Sequence, residues 1–209
     1  MRLYGLTTVR VVARNVFGGN EVAATRALEA LRTRQELSAH PTSGSRYYSA
    51  ERDPLAPPTL AEAWAVLWFC RMTRPPKTLL SPREFRTLIA GMRDAGVRLT
   101  REPRFVRAYR ARDRLHLLRV QPMRFDSRPD AVARALVLLQ DVVASDGFAP
   151  WWTWARHDLL RLVYLVREVE QGRELLRWTQ RHPLLSRVGG APVAIPLEVA
   201  TVPPFPSAS

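Results

Sequence analysis

Helical spacing dominates the apolar positions of this chain. Over residues 21–37, apolar side chains recur every three to four positions and no proline or glycine intervenes, which predicts a helix. The same pattern predicts a helix over 130–144, with Val132, Leu136 and Leu139 on its buried face. The spacing predicts further helices over 60–72, 81–94, parts of 101–118, 151–169 as the longest, and 173–181.

Capping signals mark the starts of two of these helices. Ser81, followed three residues later by Glu84, has the pattern of a capping box. Thr59 and Glu62 have the same spacing at the start of the apolar helix over 60–72. Reciprocal side-chain caps are therefore expected at both starts.

Strand patterns are much weaker than these helical ones. An alternating apolar pattern is nearly absent, and residues 193–202 predict one short strand at most. The predicted fold class is all-α, built from helical hairpins, with an extended N-terminal segment and a Pro-rich C-terminal arm. The predicted domains are a basic amphipathic leader over 1–48, a helical-hairpin body over 49–182, and a Pro-rich extended arm over 183–209.

The first twenty residues contain arginines and no acidic residue before Glu21. An amphipathic, arginine-bearing start without acids is typical of a mitochondrial transit peptide. The polar segment 40–49 is suited to protease access, and Arg46 stands where presequence processing favours an arginine. The sequence therefore predicts a mitochondrial protein, in the matrix or on the matrix face of the inner membrane. Whether residues 1–48 are removed or belong to the folded protein stays open, because acidic residues follow position 20.

Composition and charge narrow the class of partner. The 209 residues are 46% hydrophobic and 24% charged, which suffices for a core and argues against wholesale disorder. No apolar run is long enough for a transmembrane helix. The lone cysteine, Cys70, excludes an internal disulfide. The net charge of +13 and the pI of about 11.3 predict an anionic partner: an acidic protein surface, anionic lipid or RNA.

Two segments resemble the pentatricopeptide repeat (PPR) family. Residues 81–99, SPREFRTLIAGMRDAGVRL, look like the first half of such a repeat. Residues 146–183 look like the Gly-x-x-Pro junction that starts a repeat, followed by both of its helices. Pro82 and Pro150 lie 68 residues apart, close to two periods of about 34 residues. The resemblance implies a stack of helical hairpins.

The same resemblance bears on the ligand. In nucleotide-reading members of the family, a polar side chain early in the first helix contacts a base. The matching positions here are Arg86 and Ala155, where the family favours Asn, Ser or Thr. The resemblance therefore implies a degenerate repeat that binds protein.

Lysine, asparagine and isoleucine are scarce in this chain, which suggests GC-rich coding. Taken together, the mitochondrial address, the basic PPR-like body and the GC-rich coding resemble the lineage-specific accessory subunits of euglenozoan-type mitochondrial ATP synthases or respiratory complexes. This resemblance implies a non-catalytic structural subunit of a large mitochondrial assembly, with the other subunits as its partners. The alternative is an RNA-binding mitoribosomal protein or a PPR-type RNA-processing protein. A soluble enzyme is a third hypothesis.

Two clusters are candidate partner-binding sites. Arginines recur at every third position from 98 to 110, which suggests an electrostatic clamp on acidic protein or on RNA phosphates; the alternative is a solvated helix face. Three tryptophans stand within four residues after Pro150, so one or more is expected in an interface and at least one in the core. The predicted partner-binding residues are Arg98, Arg101, Arg104, Arg107, Arg110, Arg112, Arg114, Trp151, Trp152 and Trp154.

No catalytic, cofactor-binding or metal-binding residue is predicted. The four histidines lack the spacing of a metal site. The neighbours His157 and Asp158 would point about 100° apart on a helix. Cys70 lies in an apolar segment, which favours a buried, unreactive thiol. The chain is therefore predicted not to be an enzyme.

Overall fold

The chain forms two compact units that each mix helices and strands. Unit 1 comprises Met1–Pro76 with Pro203–Ser209, and unit 2 comprises Lys77–Val202, whereas the sequence predicts boundaries after residues 48 and 182. The prediction of an all-α fold is wrong, because the described part of the chain forms three β-sheets. The computed structural model describes residues 4–42, 45–81, 83–85, 87, 105–109, 115–122, 131–144, 149–188 and 191–205.

Unit 1 contains three helices and one β-hairpin. The strands of the hairpin pair antiparallel. Thr7 adds an antiparallel bridge to Tyr48, so the segment before the first helix lies along the hairpin. The elements are α1 (Val9–Val16), α2 (Glu21–Thr33), β1 (Ser38–Pro41), β2 (Arg46–Ser49) and α3 (Pro57–Arg71).

Short polar side chains start the first two helices. Thr8 caps α1 and Asn20 caps α2, and each accepts a hydrogen bond from the backbone N–H three residues further on. The helix predicted over 21–37 is confirmed, although it ends earlier, at Thr33. Gln35 follows with a φ of +58°, a left-handed conformation that a continuing helix does not allow.

The segment predicted as a processing site is the hairpin itself. Tyr47, Tyr48 and Ser49 of β2 are buried, so this part of the chain is not the accessible loop that the sequence suggested. Residues 4–42 of the predicted leader form α1, α2 and β1 of unit 1, and Leu6 is completely buried there.

α3 is apolar and buried over most of its length, from Ala63 to Cys70. The buried thiol of Cys70 agrees with the prediction. The predicted cap at Thr59 is wrong, because α3 already starts at Pro57. Prolines at the first two positions of a helix have no N–H group to satisfy, so a side-chain cap is not needed there.

Unit 2 is built on a five-stranded mixed sheet in the order β3-β4-β5-β6-β9, beside a two-stranded sheet of β7 and β8. β3, β4 and β5 are antiparallel neighbours, whereas β5, β6 and β9 are parallel. The strands are β3 (Thr78–Leu79), β4 (Phe105–Tyr109), β5 (Leu115–Pro122), β6 (Leu160–Val166), β7 (Leu185–Val188), β8 (Ala191–Ala194) and β9 (Leu197–Thr201).

Helices fill the crossovers that parallel neighbours require. α4 (Ala131–Ala144) and α5 (Ala149–Arg156) lie between β5 and β6, and α6 (Val169–Arg181) lies between β6 and β9. The predicted buried face of α4 is confirmed, since Leu136 and Leu139 belong to the core together with residues of β6.

The capping box predicted at Ser81 and Glu84 is also confirmed. Ser81 Oγ accepts a hydrogen bond from the Glu84 N–H at 3.2 Å, and Glu84 Oε2 accepts one from the Ser81 N–H at 2.8 Å. Both halves of the capping box are therefore present.

β6 occupies the second half of the helix predicted over 151–169. Asp158, at a φ of +52°, ends α5, and the run LRLVYLV is buried almost throughout. A short continuous apolar run suits a buried strand of a parallel sheet as well as a buried helix, so periodicity alone did not separate them. The helical hairpin that the PPR resemblance implies over 146–183 is instead helix, strand and helix; the family resemblance itself stays a prediction.

Strands also replace two other predicted features. β4 and β5 lie in and beyond the segment 101–118, which was predicted to be partly helical. β7, β8 and β9 lie in the predicted Pro-rich arm. Residues 203–205 pack in unit 1, where the Trp64 indole N–H donates to the Pro203 carbonyl at 3.1 Å and the Phe205 ring meets Trp64 edge-on.

Candidate functional site

The predicted arginine clamp falls largely outside the described residues. Arg107 lies in β4, opposite Leu117 of β5. Arginines at every third position would wrap around a helix, but residues 105–109 form a strand. The arginines outside the described residues are Arg98, Arg101, Arg104, Arg110, Arg112 and Arg114.

The three clustered tryptophans are core residues of unit 2. Trp151 and Trp152 are buried, and the Trp152 indole N–H donates to the Val143 carbonyl at 3.2 Å. Trp154 is partly buried, packs against the same core, and lies edge-on to Trp151. Trp151 and Trp152 thus expose almost no surface to a partner. The expectation that at least one of the three lies in the core is confirmed, and Trp154 keeps part of its surface exposed.

Unit 1 contains a buried pair that has the composition of a catalytic dyad. His40 Nε2 lies 3.1 Å from Ser49 Oγ and 3.2 Å from the Glu51 carbonyl oxygen, to which the Ser49 hydroxyl donates at 2.9 Å. A carbonyl oxygen only accepts, so the contact with Glu51 is a hydrogen bond only in the tautomer that has its proton on Nε2. In that tautomer Nε2 has no free lone pair with which to activate Ser49. The pair links β1 to β2.

In unit 2, a buried tyrosine has an unusual pKa. Burial raises the pKa of Tyr164 to about 12, against the opposing effect of the Arg119 charge. The phenol therefore stays protonated at neutral pH and cannot serve as a base. Its hydroxyl has no hydrogen-bond partner among the described residues.

The described residues offer neither a metal site nor a membrane span. No group of three His, Cys, Asp or Glu side chains among them could bind a metal ion. None of the described helices has both the length and the apolar character needed to cross a bilayer.

A tight turn joins α1 to α2. Its two glycines, Gly18 and Gly19, have φ angles of +57° and +96°, a region that favours glycine. No atom among the described residues lies within 4 Å of a Cβ built on either glycine. Glycine is therefore favoured here by the backbone conformation and not by a lack of space. The Gly19 N–H donates to the Ala13 carbonyl at 2.8 Å and closes α1. Two short helices joined by a glycine-containing turn of four residues share the connection length of a helix-turn-helix.

α2 has one buried face and one exposed face. Ala24 and Leu28 are buried in unit 1. Val22, Thr25 and Arg26 are exposed on the opposite side, at the spacing i, i+3 and i+4 that places them together. Val22 is 62% exposed, as are other valines of the chain such as Val16 at 68% and Val137 at 57%. An apolar group, a hydroxyl and a guanidinium therefore share the outer face of the first two turns of α2.

Glu29 connects the outer side of α2 to the hairpin. Its Oε1 accepts hydrogen bonds from the Tyr48 hydroxyl at 2.8 Å and from Arg46 at 3.3 Å, and its Oε2 accepts one from Arg32 at 2.6 Å. These bonds hold the pKa of Glu29 below its usual value of 4.5, and the bond from Tyr48 has the largest effect. Burial and the bond to Glu29 raise the pKa of Tyr48.

Exposed arginines surround these elements. They stand on α1, on α2, just after α2 and at the start of β2, and they outnumber the acidic residues of the same segments. A segment with such an excess of exposed arginines suits an anionic partner. The exposed arginines are Arg10, Arg14, Arg26, Arg32, Arg34 and Arg46.

A comparison of this chain with family models, with curated proteins and with solved structures finds no match. The mitochondrial location and the accessory-subunit role stay predictions. The prediction of a leader over residues 1–48 leaves no place for the surface on α2. Two signals could have found it: the pair Gly18-Gly19 between two short amphipathic helices, and the Ser43-Gly44 dipeptide between two short strand-like segments.

Proposed function

We propose that this chain binds double-stranded DNA, with unit 1 acting as a helix-turn-helix module. α1, the turn over 17–20 and α2 supply the motif, and α2 is the helix that enters the major groove. We call the hairpin of β1 and β2 the wing, since it follows the second helix and is tied to it. The observation that carries the proposal is the outer face of α2, where Val22, Thr25 and Arg26 are exposed.

The chemistry of this face matches the edges of base pairs in B-form DNA. An arginine binds the O6 and N7 atoms of guanine with two hydrogen bonds, and a threonine hydroxyl serves either a donor or an acceptor. An exposed valine fits the C5-methyl group of thymine. Val22, Thr25 and Arg26 lie in the N-terminal half of α2, which is the part of a recognition helix that reaches base edges.

Duplex DNA fits this surface better than duplex RNA does. The major groove of B-DNA is about 12 Å wide and admits an α-helix, whereas the major groove of an RNA duplex is too narrow and deep to be read. The surrounding arginines, such as Arg10 and Arg14 on α1, would bind phosphates and fix the register of the helix.

The test is binding of the full chain to a pool of random DNA duplexes, followed by selection of bound sequences. We expect Arg26→Gln to weaken binding to the selected site by about 5- to 150-fold, which corresponds to the ~1–3 kcal/mol of a bidentate base contact, and to relax the base preference at one position. Arg177→Gln is the matched control, since Arg177 is an exposed arginine of α6 in unit 2.

Two results would contradict the proposal. One is the absence of duplex DNA binding at low salt, and the other is equal binding by Arg26→Gln and wild type. Preferential binding to RNA in the same assay would favour the RNA-binding alternative instead.

A further inference from the structure

An acidic residue stands on the arginine-bearing side of α2. Glu29 lies one turn beyond Thr25 and Arg26 on the outer side of the helix, where a bound duplex would bring its phosphates. A carboxylate at such a place repels phosphate, so simple electrostatics makes Glu29 unfavourable for DNA binding. The contacts of Glu29 indicate the opposite role.

We propose that Glu29 is a positioning residue that holds Arg32 and Arg46 together as a phosphate clamp between α2 and the wing. This inference rests on the proposed DNA binding. Arg32 belongs to α2 and Arg46 to β2, so the two guanidinium groups reach one carboxylate from two different elements. A phosphate that approaches this place meets two cations at once.

Both arginines keep donors for a phosphate. Arg32 uses its Nε–H and Arg46 uses a hydrogen on NH1 to bind Glu29. A guanidinium has five N–H groups in a planar fork, so each arginine retains others. Their side chains are 52% and 55% exposed, so these donors are accessible to a ligand.

The carboxylate that orients the arginines is itself held in place. The hydroxyl of Tyr48, a residue that is only 2% exposed, donates to Glu29 Oε1 at 2.8 Å. A buried ring has little rotational freedom, so this bond fixes the carboxylate relative to β2. Without the carboxylate, the two like charges would repel each other and two long side chains would spread over many rotamers.

The two possible roles of Glu29 predict opposite effects of Glu29→Gln on the affinity for DNA. If Glu29 only repels phosphate, Glu29→Gln should tighten DNA binding. If Glu29 orients the clamp, the same substitution should weaken binding. Glu36→Gln is the matched control, because Glu36 is an exposed acid just after α2 and its substitution changes the net charge equally.

The experiment measures the affinity of the full chain for a selected duplex between 50 and 200 mM salt. Each phosphate contact contributes about 0.9 to the slope of log affinity against log salt, or about 3.5-fold over this range. We expect Arg32→Gln and Arg46→Gln each to lower the slope by about 0.9. Glu29→Gln should weaken binding at 50 mM salt and lower the slope by about 1–2. Glu36→Gln should leave the slope unchanged.

The triple variant with Glu29, Arg32 and Arg46 all changed to Gln completes the test. With both arginines already replaced, loss of the negative charge should tighten binding relative to the double arginine variant. Tighter binding by Glu29→Gln in the wild-type background would overturn the clamp, as would weaker binding with an unchanged slope. If Glu29→Gln does not fold, the salt dependence of Arg32→Gln and Arg46→Gln still tests whether both arginines contact phosphates. Wild type that does not bind duplex DNA refutes the proposed function, whereas wild type that binds with normal slopes in both arginine variants refutes only the clamp.

Discussion

Gly19 in the turn between α1 and α2 offers a quantitative test of the motif. Its φ is +96°. Residues other than glycine reach the left-handed helical region at a φ of about +57°, so the φ of Gly19 lies well beyond that region. Because a Cβ at this position would meet no atom of the described residues within 4 Å, Gly19→Ala tests the backbone conformation without a steric clash.

The expected magnitude follows from two opposing effects. Holding a non-glycine residue in a sparsely populated backbone region costs about 1–3 kcal/mol. The alanine also restricts the unfolded chain, which returns about 0.4–1 kcal/mol. We therefore expect Gly19→Ala to lower the stability of unit 1 by about 1–2 kcal/mol, or about 4–16 °C in the melting temperature of a unit of this size.

Variants of Gly18 provide the matched comparison. Its φ of +57° lies within the left-handed helical region, where the cost for alanine is about 1–2 kcal/mol before the same offset. Gly18→Ala should therefore destabilise less than Gly19→Ala does. Gly18→Asn should be nearly neutral, because asparagine tolerates this conformation.

Hydrogen exchange followed by mass spectrometry assigns the effect to α1 and α2. Amides of these helices should exchange about 5- to 30-fold faster in Gly19→Ala than in wild type, and amides of α4 should be unchanged. Equal exchange in Gly19→Ala and Gly18→Asn would refute the argument, since it would mean that position 19 does not require a positive φ.

Three further results are expected. Leu139→Ala should destabilise unit 2 by about 2–5 kcal/mol in denaturant unfolding, because the side chain is completely buried; an unchanged midpoint would contradict its place in the core. Gly172→Ala should destabilise unit 2 despite the better helix propensity of alanine, because its Cβ would lie 2.9 Å from Val199 Cγ1; a raised melting temperature would show that Val199 moves away. Tyr48→Phe should raise the pKa of Glu29 towards 4.5 in a carboxyl NMR titration, since the Tyr48 bond is its largest depressing influence. The pKa of Glu29 is lower in the folded state than in the unfolded state. The ionised carboxylate therefore stabilises the folded state above pH 4.5, and this stabilisation is lost as the pH falls through the folded-state pKa.

Much of the local structure could be predicted from the sequence. The helices around Leu28 and Leu139 follow from apolar spacing alone, and the Ser81 cap follows from a four-residue pattern. These features depend on residues three or four positions apart, so the chain itself contains the information. The burial of Cys70 follows from its apolar neighbours in the same way.

The candidate site was much harder to predict. The amphipathic residues of α1 suggested a transit peptide, because a leader and a short helix of a folded unit share the same spacing of arginines and apolar residues. Arg46 and Tyr48 gain their significance only through Glu29, which lies 17 and 19 residues earlier in the chain. No local pattern of charges indicates such a pairing.

The sequence by itself determined where the chain is helical over α2 and α4, which face of α4 is buried, and that the protein as a whole is strongly basic. Only the tertiary structure decided that LRLVYLV is a strand and that residues 38–41 pair with residues 46–49. The physical reason is that a helix satisfies its backbone hydrogen bonds within the segment, whereas a strand satisfies them with a partner that is distant in sequence. β6 exists because β5 and β9, both far from it along the chain, pair with its two edges.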